Sequence, residues 1–334
     1  MTAVEVRVPG ADPRPPFPRS WYAVARLADL AAGAVIERTV CGNDLVVFRT
    51  ESGRVAVLSA YCPHLGANLA RGGTVVGEAI RCPFHSLRWS PEGRCVGSEY
   101  PNNPEYPVGL PSFQTIERFG FVFAWFDPDG GAPTYDIPDL ELDGWTDPIV
   151  ATIPIATHVE TIHENGVDSV HFDVVHGFPL SEPRHEERGT SFHSEFHFAT
   201  PNFLRAGPSE ITTFFDTETH GLGYAHSLNT AGAVGLQYRV LLLTTPTRAN
   251  HTDFTTVTMV RRPAEGELIA GVPADEVGEF MHRGAVGGVQ QDVPIWEGLR
   301  YMERPRLVKG DGPIGRFRHW ATQFHPADSG RSAT

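Results

Sequence analysis

CPHLGANLARGGTVVGEAIRCPFH, residues 62–85, opens with Cys62 and His64 and closes with Cys82 and His85. Seventeen residues separate the two halves, and each half pairs one thiolate with one imidazole. Thiolates suit iron and zinc, and imidazole suits either. Two cysteines with two histidines is also a zinc ligand set, but zinc loops pair like with like, as C-x2-4-C and H-x3-5-H. Here the ligands are mixed within each loop. That order suits an asymmetric pair of metals, with each loop giving one ligand to each. Gly66 and Pro83 stand where tight loops would wrap such a centre.

The Rieske [2Fe–2S] cluster has this requirement, because two histidines replace two cysteines on one of its irons. Cys62, His64, Cys82 and His85 are its candidate ligands. Around them, LVVFRT, VAVLSA, AIRCPF and FGFVFAWF are β-branched or aromatic runs, each bounded by turn residues. They predict a small all-β domain holding both loops. FDPDGGAPTYDIPDL then breaks the pattern as a linker. The expected organisation is a flexible Pro-rich arm over 1–18, a cluster domain over 19–127 and a second domain over 136–330.

A chain of 334 residues is long enough for two cores, and 41% hydrophobic with 20% charged residues is an ordinary globular composition. The net charge of -13 argues against nucleic acid and against an anionic membrane surface. No apolar run approaches the ~20 residues that span a bilayer. MTAVEVRVPGADPRPPFPRS lacks the apolar core of a signal peptide, so a cytoplasmic protein is expected. Only Cys41, Cys62, Cys82 and Cys95 occur, too few for a second cluster of four cysteines, and a reducing compartment favours free thiols for those not used as ligands. Neither a G-x-G-x-x-G nor a Walker loop is present, so electrons must come from another protein.

The second half predicts a helix over roughly Thr157 to His176, stopped by Gly177 and Pro179. SFHSEFHF reads as a half-buried strand, with Phe192, Ser194, Phe196 and Phe198 alternating with His193, Glu195 and His197. ITTFFDTET, LQYRVLLLTT and FTTVTMVRR continue it at hairpin spacing, and helix returns from about Ala274. The fold class is therefore α+β: an all-β domain followed by an antiparallel sheet flanked by helices.

Within that first helix, ENGVDSVHFDVVH supplies Asp168, His171 and His176. Asp168 and His171 are three apart and share a helix face. His171 and His176 are five apart, about 140° around an ideal helix, so the helix must unwind near its end for both to reach one metal. Two imidazoles and a carboxylate with open positions make the facial triad of non-haem Fe(II) oxygenases. Among fifteen histidines such a spacing also arises by chance; a cluster domain beside it makes metal binding the better reading.

Together these motifs resemble the terminal oxygenase (α) component of a Rieske non-haem iron oxygenase, from Trp21 to about Phe324. CPHLGANLARGGTVVGEAIRCPFHSLRWSPEGRC, QQDVPIWEGLRYM and KGDGPIGRFRHWATQF are similar to the branch of 3-ketosteroid 9α-hydroxylases and cholesterol 7-desaturases. The resemblance implies a helix-grip, START-like second domain with a mononuclear Fe(II) on His171 and His176. Asp292, just before Pro294, is the candidate third ligand in a helix's first turn; Glu297 is the fallback, and a plain N-cap role for Asp292 is the alternative. Asp168 would not bind iron but would bridge an iron-bound histidine to a cluster histidine of a neighbouring subunit. Asn165 matches a position near the iron, and both it and Asp168 are candidate catalytic residues.

The resemblance further implies O2 as co-substrate, NAD(P)H through a ferredoxin and/or ferredoxin reductase, a hydrophobic and possibly steroid-like substrate, and a head-to-tail homotrimer. N-oxygenation, demethylation and oxidative cyclisation share the same motifs. A Rieske electron carrier without O2 chemistry is the rival of another class, and the two-histidine motif counts against it. Arg71, Arg81, Arg88 and Arg94 outnumber Glu78 and Glu92 near the loops, as a docking patch for an acidic partner or as ordinary surface arginines. Phe192, Phe196, Phe198, Phe203, Leu222, Tyr224, Leu241 and Leu243 are candidates for an apolar pocket or for sheet core.

Overall fold

In the cluster domain the apolar runs fold as short antiparallel strands. The computed structural model describes residues 12–99, 106–264 and 268–326. Ser20–Arg26, Phe121–Phe126 and Thr115–Arg118 form one sheet, and Val35–Val40, Asn43–Arg49, Val55–Ser59 and Ser112–Phe113 a second. Their facing sides close over Tyr22, Leu45, Val47, Val57 and Val122. A smaller sheet of Thr74–Val76, Ala79–Arg81, Arg88–Trp89 and Cys95–Gly97 carries the second metal loop.

The second domain is one seven-stranded antiparallel sheet. Its spatial order is Ile149–Ile155, His251–Val260, Leu236–Arg248, Tyr224–Ala231, Glu210–His220, Ser191–Pro201, Ser181–Arg188. Consecutive strands are neighbours from Ser181 to Val260, as hairpin-length turns require. One face bears helices α1 (Val159–Asn165), α2 (Ser169–His176), α3 (Ala274–Gly298) and α4 (Ile314–Ala321). The other packs Tyr224, Leu241, Leu243, Val257 and Met259 against Trp21, Phe121, Phe123 and Trp125 of the cluster domain. On strand Ser191–Pro201 His193 is buried at 6% exposure, its ring held by Asp216 Oδ1 of the next strand at 2.8 Å.

The two domains also share backbone hydrogen bonds. Cys41 and Gly42 N–H donate to the carbonyls of Pro246 and Thr247 at 2.7 and 2.9 Å, and Arg19 N–H donates to Phe324 O at 2.7 Å. Trp21 Nε1 donates to Tyr135 O in the connecting segment at 2.8 Å. Of the arm expected over 1–18, residues 1–11 lie outside the described residues. From Asp12 onward it is held: Arg14 is buried, bonds Thr161 Oγ1 of α1 at 2.9 Å and stacks over the Tyr301 ring.

Three local expectations change. The helix over Thr157 to His176 is two helices, because the chain breaks at Gly166–Asp168 and Asp168 restarts it as N-cap, its carboxylate accepting from Val170 N–H. Asp168 is thus not on a helical face with His171. Asp292 is not in a first turn and not an N-cap; it lies near the end of the 25-residue α3, with Pro294 inside the helix. Proline there removes one intrahelical hydrogen bond, which neighbouring contacts with the sheet tolerate.

Candidate metal centres and their neighbours

The two cluster loops are built alike. In each, the residue four past the cysteine donates its N–H to the cysteine carbonyl: Gly66 to Cys62 at 2.9 Å and Ser86 to Cys82 at 3.2 Å. Both turn residues have positive φ, +76° for Gly66 and +58° for Ser86. Glycine adopts this conformation freely, and serine holds it only because the loop around it demands it. Cys62 N–H and Cys82 N–H close the loops onto Ala67 O and Leu87 O.

This geometry buries the thiols and leaves the imidazoles at the rim. Cys62 and Cys82 are 1% and 2% exposed, in one core with Leu69, Leu87 and Trp89. The rings of His64 and His85 stand 4.6 Å apart between centroids. Burial pushes the Cys62 thiol up to about 11, and the adjacent Cys82 sulfur adds to the rise. Two buried sulfurs side by side are costly as thiolates unless a cationic centre shares them. Trp89 Nε1 is buried and its N–H lies toward the Cys62 sulfur, partly offsetting the rise of that thiol, which fits a sulfur-rich group beside it. The donor set and its setting therefore fit a Rieske cluster.

Leu65 and Phe84, each next to a cluster histidine, are 66% and 62% exposed. Of the four arginines expected here two are paired, Arg71 with Glu37 at 3.1 Å and Arg81 with Glu99 at 3.2 Å.

The second centre forms where α1, α2 and α3 converge. Gly177 caps α2 in the left-handed conformation at φ +75°, with Phe178 N–H returning to Phe172 O at 2.9 Å. That stop falls directly after His176 and turns its ring toward His171, 5.2 Å away between centroids. The ligand atoms of His171, His176 and Asp292 all lie within 4.8 Å of one another. His176 Nε2 is 3.5 Å from Asp292 Oδ2. Glu297 points elsewhere and accepts from Ala156 N–H at 3.0 Å, so it is not the third member.

Second partners fix both imidazoles. His171 Nδ1–H donates to the Asp168 carbonyl, and His176 Nδ1–H to Gln291 Oε1 at 2.8 Å. Each ring is thereby left with an Nε2 lone pair facing the site, the usual arrangement for a metal-bound histidine. Asn165 Nδ2 donates to His171 Nε2 at 3.0 Å and to Asp292 Oδ2 at 3.3 Å, its amide hydrogens standing in for a cation. Burial lowers the pKa of His171 and raises that of Asp292 to about 6, against the pull of His176 and Asn165. Two half-buried imidazoles with Nε2 turned inward and one buried carboxylate form a donor set that fits Fe(II). Gln291 escaped the sequence reading; its only signal is its place beside Asp292 in QQDVPIWEG.

An aromatic wall adjoins the site. Phe172 touches the His171 ring at 4.1 Å and Phe196 at 5.4 Å; Phe198 and Phe215 continue the stack, and Phe178 lies on Phe198 at 5.5 Å. Of the pocket candidates, Phe196 and Phe198 lie in this wall. Phe192 and Leu222 are core beneath α4; Tyr224, Leu241 and Leu243 are core against the cluster domain, and Phe203 stacks on Phe280 of α3. A separate cavity of about 1100 Å³ lies between the arm and the end of α3, lined by Arg14, Thr161, Tyr301 and Arg318; none of His171, His176 and Asp292 lines it.

A thiolate–imidazole cluster site in one domain and a site of two histidines and a carboxylate in the next define a terminal oxygenase, which accepts single electrons and activates O2. Residues 20–114 match the Rieske [2Fe–2S] domain family and residues 124–325 the 3-ketosteroid 9α-hydroxylase C-terminal domain family. The 3-ketosteroid-9-alpha-monooxygenase oxygenase component of Rhodococcus rhodochrous is 30% identical over 95% of this chain and 86% of its own. The cholesterol 7-desaturase of Caenorhabditis elegans is 30% identical over 95% and 79%. Dicamba monooxygenase bound to 3,6-dichlorosalicylic acid shares the fold at a TM-score of 0.76 and 19% identity, over 93% of this chain and 98% of that one. The chain belongs to the Rieske non-haem iron oxygenases, in the branch carrying this C-terminal domain, and is the oxygenase component of a multicomponent system with a [2Fe–2S] cluster and a mononuclear iron. Among the described residues no helix is long and apolar enough to cross a membrane.

Proposed function

We propose that this oxygenase hydroxylates or desaturates a large, flat, apolar ring system of steroid type. The observation that carries the reading is the aromatic wall of Phe172, Phe196, Phe198 and Phe215 beside the His171–His176–Asp292 site. Such a wall binds flat apolar surface and excludes water from the reacting position. The relatives in the same branch are named for 3-ketosteroids and cholesterol.

In this reading Cys62 and Cys82 hold one cluster iron and His64 and His85 the other, while His171, His176 and Asp292 hold the mononuclear iron. When bound, these groups supply single electrons and open positions for O2. Gln291 and the Asp168 carbonyl keep the two imidazoles in the Nε2-presenting tautomer. Asn165 donates hydrogen bonds into the same space and orients what binds there. Asp168 holds its carboxylate at the start of α2, available to the imidazole N–H of a neighbouring subunit's cluster.

That last role needs an assembly. The exposed Leu65 and Phe84 at the cluster tip, and Val170 and Val174 on α2 at 44% and 76% exposure, are apolar surfaces that a head-to-tail contact would cover. They support a homotrimer in which the cluster domain is 19–127 and the catalytic domain 136–330. A ferredoxin or ferredoxin reductase delivers NAD(P)H electrons to the cluster domain. Cys41 and Cys95, the two cysteines outside the cluster, form no disulfide, which fits a reducing cytoplasm.

The test is turnover of the iron-reconstituted protein with a ferredoxin–reductase pair and NADH across steroids, aromatic acids and alkaloid-like amines. A product heavier by one oxygen, or lighter by two hydrogens, on a steroid supports the reading. Substrate-dependent O2 uptake confined to amines or aromatic acids overturns it.

A further inference from the structure

Another group of metal-competent side chains gathers on the far face of the catalytic sheet. Side chains alternate between faces along a strand. Phe192 contacts Phe317 and Trp320 of α4 at 5.5 and 5.4 Å, and Phe196 contacts Phe172 of α2, so both point to the helix-bearing face. Ser191 and His193 therefore point the other way. Register pairs Ser191 with His220, His193 with Glu218, and Glu218 in turn with His226. Glu218, His220 and His226 thus share the face opposite the iron site. Their ligand atoms all lie within 4.8 Å of one another, and the two imidazoles stack with centroids 5.4 Å apart.

Unmet hydrogen bonding separates this group from an ordinary polar cluster. His220 Nε2 and His226 Nδ1 are both buried, and neither has a hydrogen-bond partner among the described residues. Tyr224, fully buried and flanked by both rings at 5.8 and 5.6 Å, has no partner for its hydroxyl either. Buried polar atoms are nearly always paired, so three together call for a missing group. Glu218 is oriented by Ser191 Oγ at 2.6 Å, leaving its second oxygen 3.9 Å from His220 Nε2. The nearby Arg239 guanidinium is turned onto the Trp145 ring at 5.0 Å, and His193 is engaged by Asp216 at 2.8 Å. Burial holds both imidazoles in the neutral, metal-binding form, His226 with its pKa lowered to about 4.

We propose that Glu218, His220 and His226 form a second metal site, for a divalent cation of the zinc class, which braces the hairpin at the domain junction. Two imidazoles and a carboxylate are ligands zinc accepts, with a remaining position for water. The turn this cation would tie is pressed on the cluster domain: a Cβ at Gly223 would stand 2.1 Å from the Trp21 carbonyl, and Phe119 stacks on Tyr224 at 5.5 Å. Holding Glu218 and His220 to His226 fixes the two strands that make this contact.

The test uses full-length, cluster-loaded protein carrying His171→Ala and His176→Ala to remove the mononuclear site, with cluster absorbance followed throughout. Titration with Zn2+, and with Co2+ as its coloured stand-in, is expected to show one equivalent bound per chain and a raised unfolding temperature. Adding His220→Gln and His226→Gln should abolish both effects. Should that variant lose its cluster or its fold, Glu218→Gln is the milder probe, expected to weaken binding at least about tenfold. No Zn2+ bound in the background protein, or equal binding after the His220 and His226 or the Glu218 replacements, overturns the site.

Discussion

Gly312→Ala tests how the catalytic centre is held from behind. A Cβ on Gly312 would stand 1.6 Å from the Val167 carbonyl oxygen and 3.4 Å from Asp168 Cα. Ordinary contact begins near 3.4 Å, so the start of α4 and the α1–α2 junction must separate by roughly 2 Å. Val167 is 3% exposed and Ile314, two residues past Gly312, is 6% exposed, so neither side yields freely. Overpacking of this kind costs about 3 kcal/mol, or about 4 °C of unfolding temperature for a chain of this size. Asp168 moves with the junction and His171 sits one turn further on, and a misplacement of about 1 Å at a reacting centre costs about a hundredfold in rate. The assays are mononuclear iron content, cluster absorbance and thermal unfolding. The expected result is lost mononuclear iron with a normal cluster. Gly315→Ala is the control: a Cβ there meets nothing within 4 Å, and alanine in α4 should be neutral or stabilising by up to about 1 kcal/mol. Wild-type iron content and stability in Gly312→Ala would refute the reasoning.

Asp292→Asn should weaken Fe(II) binding about tenfold or more, whereas Glu297→Gln, which keeps an acceptor for Ala156 N–H, should leave iron content unchanged and stability within about 0.5 kcal/mol; metal analysis of both separates the two carboxylates. Asp168→Asn should keep both metals yet lower substrate-coupled oxidation of the reduced cluster by about a hundredfold, read by stopped-flow absorbance, and a wild-type rate would remove Asp168 from the path. Phe84→Asp should shift the assembly toward monomers in analytical ultracentrifugation without loss of the cluster. His163, buried and bonded to Thr244 Oγ1 at 2.7 Å, has its pKa lowered by burial to about 4. The fold resists its protonation, so its contribution is complete above about pH 6.5 and is lost as pH falls toward 4, up to roughly 3 kcal/mol. Thermal unfolding of His163→Gln across that window should show a flatter pH dependence than the wild type.

The cluster loops were legible because their candidate ligands are local, two in each turn, and the turn chemistry of Gly66 and Pro83 sits in the same few residues. His171 and His176 were legible for the same reason; Asp292 was singled out as a first-turn residue beside Pro294, but it reaches the two histidines from late in α3, by the packing of that helix against α2. What the sequence hid was set by tertiary contact. The break at Gly166–Asp168 lies where Gly312, 145 positions away and just before α4, packs against the Val167 carbonyl. The helix continues through Pro294 because α3 is packed along the sheet and the neighbouring turns hold it, which no local propensity reports. Periodicity assigned His193 to the polar side of its strand, but its ring is buried there, bonded to Asp216 of the next strand. Gln291 has a role only because its amide meets a ring on another helix.

The bonds of Cys41, Gly42 and Arg19 across the domain junction, and the shared core around Trp21 and Tyr224, bear on how this enzyme can be rearranged. A boundary drawn from sequence pattern runs through the connecting segment, yet the chain's cohesion does not divide there. Either half made alone would expose an aromatic surface and unpaired backbone groups. Chimaeras that swap only the catalytic half between relatives must carry Trp21, Phe121 and Phe123 with it, because the seam is built from side chains on both sides of the boundary.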